Sequence, residues 1–351
     1  MDFILRSIRR FLLIFEWLLT SAFRTIRCRL PFWKVKPIAK IFNTVNFPHQ
    51  SSNGTVSRGI WINGRVLSER KTIPPTKKDS RWLNFRRMTS QWLTREIPNT
   101  GVTIRIGGQE HKLKSDKEGY FQLTAHEITG SIHVSLDEFS YSSKIEAQGV
   151  CVIPKYVIIT DVDDTLLETG AVSLAKMLKT TLLSNALTRE IVSGMPDIIN
   201  ELSLDGINPV FYVTSSPWNL HSFLGRVFTR AKLPTGGIFM TDWGLTPTQW
   251  ITPSHHKHKG EALNRIYNWF SDSQILLFGD DSQKDHRIYA GFIRMHPTKV
   301  KAAFIRNISG TQKRRQVEKI IKKLHTEIGR EVIYIVTDSQ EIRGILERLK
   351  L

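Results

Sequence analysis

At 351 residues the chain is long enough for two hydrophobic cores, and an apolar share of 40% with 23% charged residues excludes wholesale disorder and collagen-like repeats. Two widely separated cysteines, Cys28 and Cys151, exclude a cysteine-rich metal module and a disulfide-stapled secreted scaffold, and favour a reducing compartment. Fifty Lys plus Arg against 32 Asp plus Glu give a net charge of +18, a field that draws phospholipid headgroups, polyphosphates or nucleic acid without choosing among them.

Residues 1–42 form a basic amphipathic segment. Over the first 60 residues ten Lys or Arg oppose only Asp2 and Glu16, a local excess of +8. Arg6, Arg10, Leu13, Glu16, Thr20, Arg24 and Arg27 recur at helical spacing, while Phe, Leu, Ile and Trp occupy the other positions. No uncharged run reaches the ~18 residues of a membrane span. The pattern is foremost that of a helix lying in the plane of an anionic membrane; the competing readings are a helix packed on the protein body and a signal or Arg-rich transit peptide, the secretory form of which Glu16 disfavours.

Residues 43–58 (NTVNFPHQSSNGTVSR) are polar and turn-rich and read as a linker. From Gly59 to about 151, segments beginning at Gly59, Gly101, Tyr120 and Ser131 alternate apolar and polar residues at period two between Gly- or Asp-containing turns, which predicts a small β-sandwich. Within it Trp82, Phe85, Met88 and Trp92 recur every three or four residues and predict a core-facing helix with solvated Arg residues.

Residues 152–351 change pattern. The strands are now continuous apolar runs, Tyr156 to Thr160, Val210 to Val213, Ile238 to Met240, Ile275 to Phe278, Ala302 to Ile305 and Val332 to Val336. Stretches with helix-period hydrophobics (173–188, 218–231, 257–270 and 312–328) separate them. Such a chain predicts an α/β fold, a Rossmann-like doubly wound parallel sheet with its active site beyond the carboxyl ends of the strands.

Those ends carry the chemistry. The first run leads into Asp161-Val-Asp-Asp-Thr165, three carboxylates in four residues, an arrangement that a divalent cation would relieve. The second leads into Thr214-Ser215-Ser216, hydroxyls suited to phosphoryl oxygens, and the fourth into Gly279-Asp280-Asp281-Ser282-Gln283-Lys284-Asp285. Between the latter two, Lys259 offers a fixed positive charge in the His- and Lys-rich start of a helix.

This ordered set resembles the haloacid dehalogenase superfamily of phosphotransferases. More narrowly, Asp161 to Thr169, Phe211 to Leu220, Leu233 to Gly237, Asp242 to Gly244, His258-Lys259 and Leu277 to Tyr289 resemble the actin-patch-associated phosphatidate phosphatases and their bacterial relatives, with lipins as more distant cousins. The sequence departs from the family at Asp281 and Ser282, where relatives usually have Ser and Gly.

The resemblance implies a haloacid dehalogenase fold with a small cap or none, and a Mg²⁺-dependent phosphatidate phosphatase working through an aspartyl-phosphate. Asp161 is then the nucleophile and Asp163 the acid and base. Thr214 and Ser215 would face the substrate, Lys259 would pair with nucleophile and phosphate, and Asp161, Asp163 (through its carbonyl), Asp280 and Asp285 would hold the metal. Only about 45 residues separate the first motif from the second strand, which leaves no room for a large cap and favours an open site for a membrane-embedded substrate. The expected partners are an anionic phospholipid membrane and phosphatidic acid, with a cytoplasmic, membrane-peripheral location; no nucleic acid is expected, since charge is its sole support. The competing readings are a phosphatase of phosphoproteins or small phosphate esters, and a non-catalytic anionic-lipid-binding protein on the same fold.

Overall fold

The computed structural model describes residues 36–50, 56–68, most of 75–87, 96–126, 130–146, 152–168, 186–241 and 255–351. Of the basic amphipathic segment expected over 1–42, residues 1–35 lie outside the described residues and the chain from Pro37 onward is instead a strand; most of the helical stretch 173–188 and Asp242 to Gly244 also lie outside the described residues.

Six parallel strands form the central sheet: β8 (Tyr156–Asp161), β9 (Val210–Pro217), β10 (Gly237–Thr241), β11 (Gln274–Asp280), β12 (Val300–Arg306) and β13 (Ile333–Val336). Their order is β10-β9-β8-β11-β12-β13. The chain builds outward from β8 through β9 to β10, then returns to the other side of β8 to lay down β11. The direction of winding therefore reverses between β8 and β11, where a crevice opens beyond the strand ends.

The strands read as unbroken apolar runs because alternate residues enter two different cores. Ile158, Tyr212, Leu276 and Phe304 pack on one face with helices α1 (Met195–Ser203), α2 (His221–Arg230) and α6 (Ser339–Arg348). Val157, Ile159, Phe211, Leu277 and Ala303 pack on the other with α3 (His255–Trp269), α4 (Asp285–Met295) and α5 (Thr311–Ile328). Most of these strand residues are at most 1% exposed, so truncating one, Leu277→Ala for example, would cost about 2–5 kcal/mol.

The N-terminal part forms two antiparallel sheets. One contains β1 (Pro37–Gln50), β2 (Val56–Ser68) and β5 (Tyr120–Ala125); the other contains β3 (Gly101–Ile106), β4 (Gln109–Lys114), β6 (Ile132–Leu136) and β7 (Tyr141–Ile145). Ile60, Ile62 and Phe121 of the first share one apolar cluster with Val102, Ile104, Val134 and Leu136 of the second. Gly119 turns the chain into β5 at φ +84°, and a Cβ there would meet the Val66 carbonyl oxygen at 2.7 Å.

Of the linker expected over 43–58, the described residues 43–50 and 56–58 instead belong to a long hairpin, β1 paired with β2 from Pro37↔Ser68 to Gln50↔Val56. The polar residues that made it look like a linker are buried and bonded. Asn43 is 1% exposed and exchanges hydrogen bonds with the main chain of Ile238, Thr44 donates to the Glu146 carbonyl, and Asn46 accepts from Arg58. The hairpin also feeds two cores: Val45, Phe47 and Trp61 join the cluster under the parallel sheet. Trp61 stacks on Phe239 at 5.3 Å and Phe47 on Trp269 at 5.2 Å between ring centroids. A register shift at Phe42 turns that ring onto Trp218, 4.6 Å away, just past the end of β9. Trp82 differs from the core-facing expectation, being 70% exposed.

Candidate active site

Asp161 closes β8 and Asp280 closes β11, so the two carboxylates face each other across the crevice where the winding reverses. Lys259, from the first turns of α3, comes in from the side. Its Nζ lies 2.7 Å from Asp161 Oδ1 and 2.5 Å from Asp285 Oδ1, and all three side chains are at most 3% exposed. Asp285, at the start of α4, also accepts the Asp280 backbone N–H at 3.3 Å. Gly279 admits this approach: a Cβ there would sit 2.8 Å from Asp285 Oδ2 and 2.9 Å from the Tyr289 ring.

Carboxylate oxygens of Asp161, Asp280 and Asp285 lie within 4.8 Å of one another. Burial pushes the Asp161 carboxyl well up, opposed by Lys259 and reinforced by Asp285, Asp280 and Asp163. Burial and Asp285 push Asp280 up to about 6, against Lys259 and hydrogen bonds from Ser282 and Gln283. For Lys259 burial alone would favour deprotonation, but Asp161, Asp285 and Asp280 outweigh it and hold the proton on. With all three carboxyls ionised, one ammonium would leave two negative charges unbalanced in a dry site, and the upward shifts of Asp161 and Asp280 register that crowding. Asp280 Oδ2 is buried with no hydrogen-bond partner among the described residues. That donor set, all hard oxygen with two charges to balance, fits a divalent cation of the Mg²⁺ type.

Asp163 turns the other way. Its Oδ2 accepts the Thr214 hydroxyl at 2.8 Å and the Ser216 hydroxyl at 3.3 Å, both from β9. Thr214 was expected to reach a phosphoryl oxygen; in the structure its single proton is committed to Asp163, so it orients that carboxylate. Ser215 directs its hydroxyl to Gln283 at 3.4 Å. The turn between Asp161 and Leu167 is tight: Leu166 and Leu167 N–H both donate to Val162, Asp164 N–H donates to Leu167, and Asp164 takes φ +59°, which Asp tolerates better than most residues. Arg306, at the end of β12, braces the turn by donating to the Asp164 carbonyl at 2.9 Å and to Glu168 at 2.8 Å.

Asp281, one of the two departures from the family pattern, leaves the carboxylate cluster. Its Oδ1 accepts the N–H groups of Ile308 and Ser309 at 2.9 and 3.0 Å, so it ties the loop after β12 to the end of β11.

Sequence reasoning passed over Arg306 and Arg189. Arg189 lies in a stretch with no motif, and only the pairing of that stretch with the Asp161 turn brings it to the site. Leu167 bridges Ile191, Glu168 N–H donates to the Glu190 carbonyl, and Val192 N–H donates to the Leu166 carbonyl.

Comparison with known proteins bears on the same segment. Residues 156–307 match the family described as phosphatidate phosphatase APP1, catalytic domain. An uncharacterized protein of Schizosaccharomyces pombe is 27% identical over 153 residues, 43% of this chain. The match spans a quarter of that relative's length. A carbohydrate acetylesterase from Xanthomonas citri is similar at 11% identity and a TM-score of 0.22, over 78% of this chain and 72% of its own. A family two carbohydrate esterase from Cellvibrio japonicus is similar at 11% identity and 0.19, over 84% and 98%. Neither structural likeness carries an argument.

Proposed function

Residues 156–307 belong to the phosphatidate phosphatase APP1 catalytic-domain family, and from that premise we propose that the protein is a Mg²⁺-dependent phosphatase that hydrolyses phosphatidic acid to diacylglycerol and phosphate on a haloacid dehalogenase scaffold. The observation that carries this reading is the buried Asp161, Lys259, Asp280 and Asp285 cluster inside the matched segment.

Asp161 attacks phosphorus as the ester P–O bond breaks, giving an acyl-phosphate on its carboxylate. Asp163, oriented by Thr214 and Ser216, gives its proton to the departing glycerol oxygen. It then takes a proton from the water that attacks phosphorus, releasing phosphate and restoring the Asp161 carboxylate. Lys259 neutralises part of the charge that gathers as two anions approach, and because Asp285 grips it from behind, that charge is already in place. The cation would be held by Asp161, Asp280 and the Asp163 carbonyl, with Asp285 supporting Lys259 and the Asp280 main chain; when bound it supplies charge neutralisation at the phosphoryl oxygens.

The membrane belongs to this reading through its substrate, through the +18 net charge and through the basic amphipathic segment 1–35. Among the described residues no helix is long and apolar enough to cross a bilayer, which is compatible with binding at the surface.

The test is phosphate release from phosphatidic acid in mixed micelles beside p-nitrophenyl phosphate and a phosphopeptide, with and without Mg²⁺. Lipid turnover that disappears in chelator and returns with Mg²⁺, but poorly with Ca²⁺, whose larger and more flexible shell suits the in-line geometry less well, is the expected result. Turnover of the soluble esters alone would replace the lipid substrate with a soluble one, and full activity in excess chelator would remove the metal.

A further inference from the structure

We propose that Arg189, held beside the Asp161 turn, is a ligand for the phosphoryl oxygens of the substrate. The inference rests on the phosphatase reading above for the kind of ester, but not on which alcohol the ester carries.

Arg189 is 5% exposed, and among the described residues its Nε and Nη1 are buried with no hydrogen-bond partner. A guanidinium carries five N–H donors and stays charged, and leaving the three on Nε and Nη1 dry and unbonded is costly unless an acceptor arrives. No ion pair joins Arg189 to a carboxylate among the described residues, yet Asp163, Asp164 and Glu190 are the carboxylates whose charge reaches it. It therefore stands beside the Asp161 turn without being spent on it.

Its position is built. The strand-like pairing of 190–192 with 166–168 fixes the backbone next to the turn. Arg230 of α2 donates to the carbonyls of Leu187 and Arg189 and so pins the main chain on the other side. With Nε and Nη1 unbonded, the guanidinium keeps donors on two edges of its plane for phosphoryl oxygens, a spread of donors that the Lys ammonium does not reproduce. Among the described residues around the turn, Lys259 is shared between Asp161 and Asp285 and Arg306 is held by Asp164 and Glu168, whereas Arg189 keeps unbonded donors for a substrate.

The test measures inorganic phosphate binding to the full-length protein by calorimetry in the presence of Mg²⁺, together with steady-state kinetics on p-nitrophenyl phosphate. Arg189→Gln should weaken phosphate tenfold or more and raise KM by a similar factor, and Arg189→Lys, which keeps the charge but loses the fork, should fall between. Phosphate binding by Arg189→Gln within twofold of wild type would overturn the proposal. If neither variant folds, crystals of the intact protein grown with Mg²⁺ and orthovanadate decide: vanadate oxygens within hydrogen-bond distance of the Arg189 guanidinium support the assignment, and a site in which Arg189 holds no vanadate overturns it. Absence of turnover on phosphatidic acid alongside phosphate binding that depends on Arg189 would sink the lipid substrate while leaving this inference standing.

Discussion

The side-chain amide of Asn43 acts as a strand of one residue against Ile238. Its Oδ1 accepts the Ile238 N–H at 2.7 Å, and its Nδ2 donates to the Ile238 carbonyl at 2.8 Å and to Asn63 Oδ1 at 2.9 Å. Ile238 lies on β10, an edge of the parallel sheet, where unpaired main-chain groups would otherwise be exposed to pairing with another chain. The N-terminal hairpin is thus fastened to the parallel sheet by backbone chemistry as well as by the aromatic stack of Trp61 on Phe239.

Asn43→Ala leaves the Ile238 N–H and C=O buried and unbonded. The expected loss is about 2–4 kcal/mol of unfolding free energy, read from the denaturant midpoint. Asn43→Asp, which is isosteric, should be no better, because it loses both donated bonds and buries a charge. A cost below about 0.5 kcal/mol for Asn43→Ala would mean that water takes over both groups.

Asp161→Asn keeps the shape of the side chain and removes the attacking anion. Phosphate release should fall at least a thousandfold with the thermal midpoint preserved or raised, since the substitution also relieves a crowded carboxylate in a buried site. Asp163→Asn should be severely impaired too. More than a tenth of wild-type turnover in Asp161→Asn would exclude the covalent mechanism.

The chain should lose stability in acid partly through His221. Burial lowers its pKa to about 4, helped by Lys40 and opposed by the hydrogen bond to the Phe42 carbonyl. The folded value lies below the unfolded one near 6.5, so between pH 6.5 and 4 the unfolded chain binds the extra proton and stability falls as pH falls. His221→Gln can still donate to Phe42 but does not titrate. Wild type should lose about 1–3 kcal/mol more than this variant across that window, in urea melts at pH 7 and pH 4. Parallel pH profiles would show that His221 is charged in the folded state or accessible to water.

Deleting residues 1–30 tests the membrane reading of the basic segment. The apparent KM for phosphatidic acid in vesicles should rise while turnover of p-nitrophenyl phosphate stays nearly unchanged, because only the lipid reaction needs recruitment to a surface. Binding of the intact chain should weaken as salt shortens the screening length from ~10 Å at 0.1 M to ~3 Å at 1 M. Equal co-sedimentation of intact and truncated protein with anionic vesicles would move recruitment elsewhere.

The α/β half was legible because its strands read as continuous apolar runs and β8, β9 and β11 lead directly into functional residues, so a run such as Ile275 to Phe278 followed by Asp280 announces strand and site together. The hairpin β1–β2 was not. Asn43, Thr44 and Asn46 carry the composition of a linker, and only partners far along the chain, Ile238 and Glu146 among them, make burying them affordable. Arg189 was invisible for a similar reason, since its place depends on a non-local pairing and not on a motif. Trp82 shows the converse failure: helical spacing of aromatics predicted a buried face, yet this ring is 70% exposed.

The bond from Asn43 to Ile238 spans 195 positions of sequence. At a ribosomal rate of about 5–20 residues per second, roughly 10–40 s separate synthesis of the two partners. During that interval Val45, Phe47 and Trp61 emerge with no sheet to cover them. The nascent hairpin therefore carries a waiting apolar face, a natural foothold for a chaperone, and a chain stopped before β10 would display that face permanently.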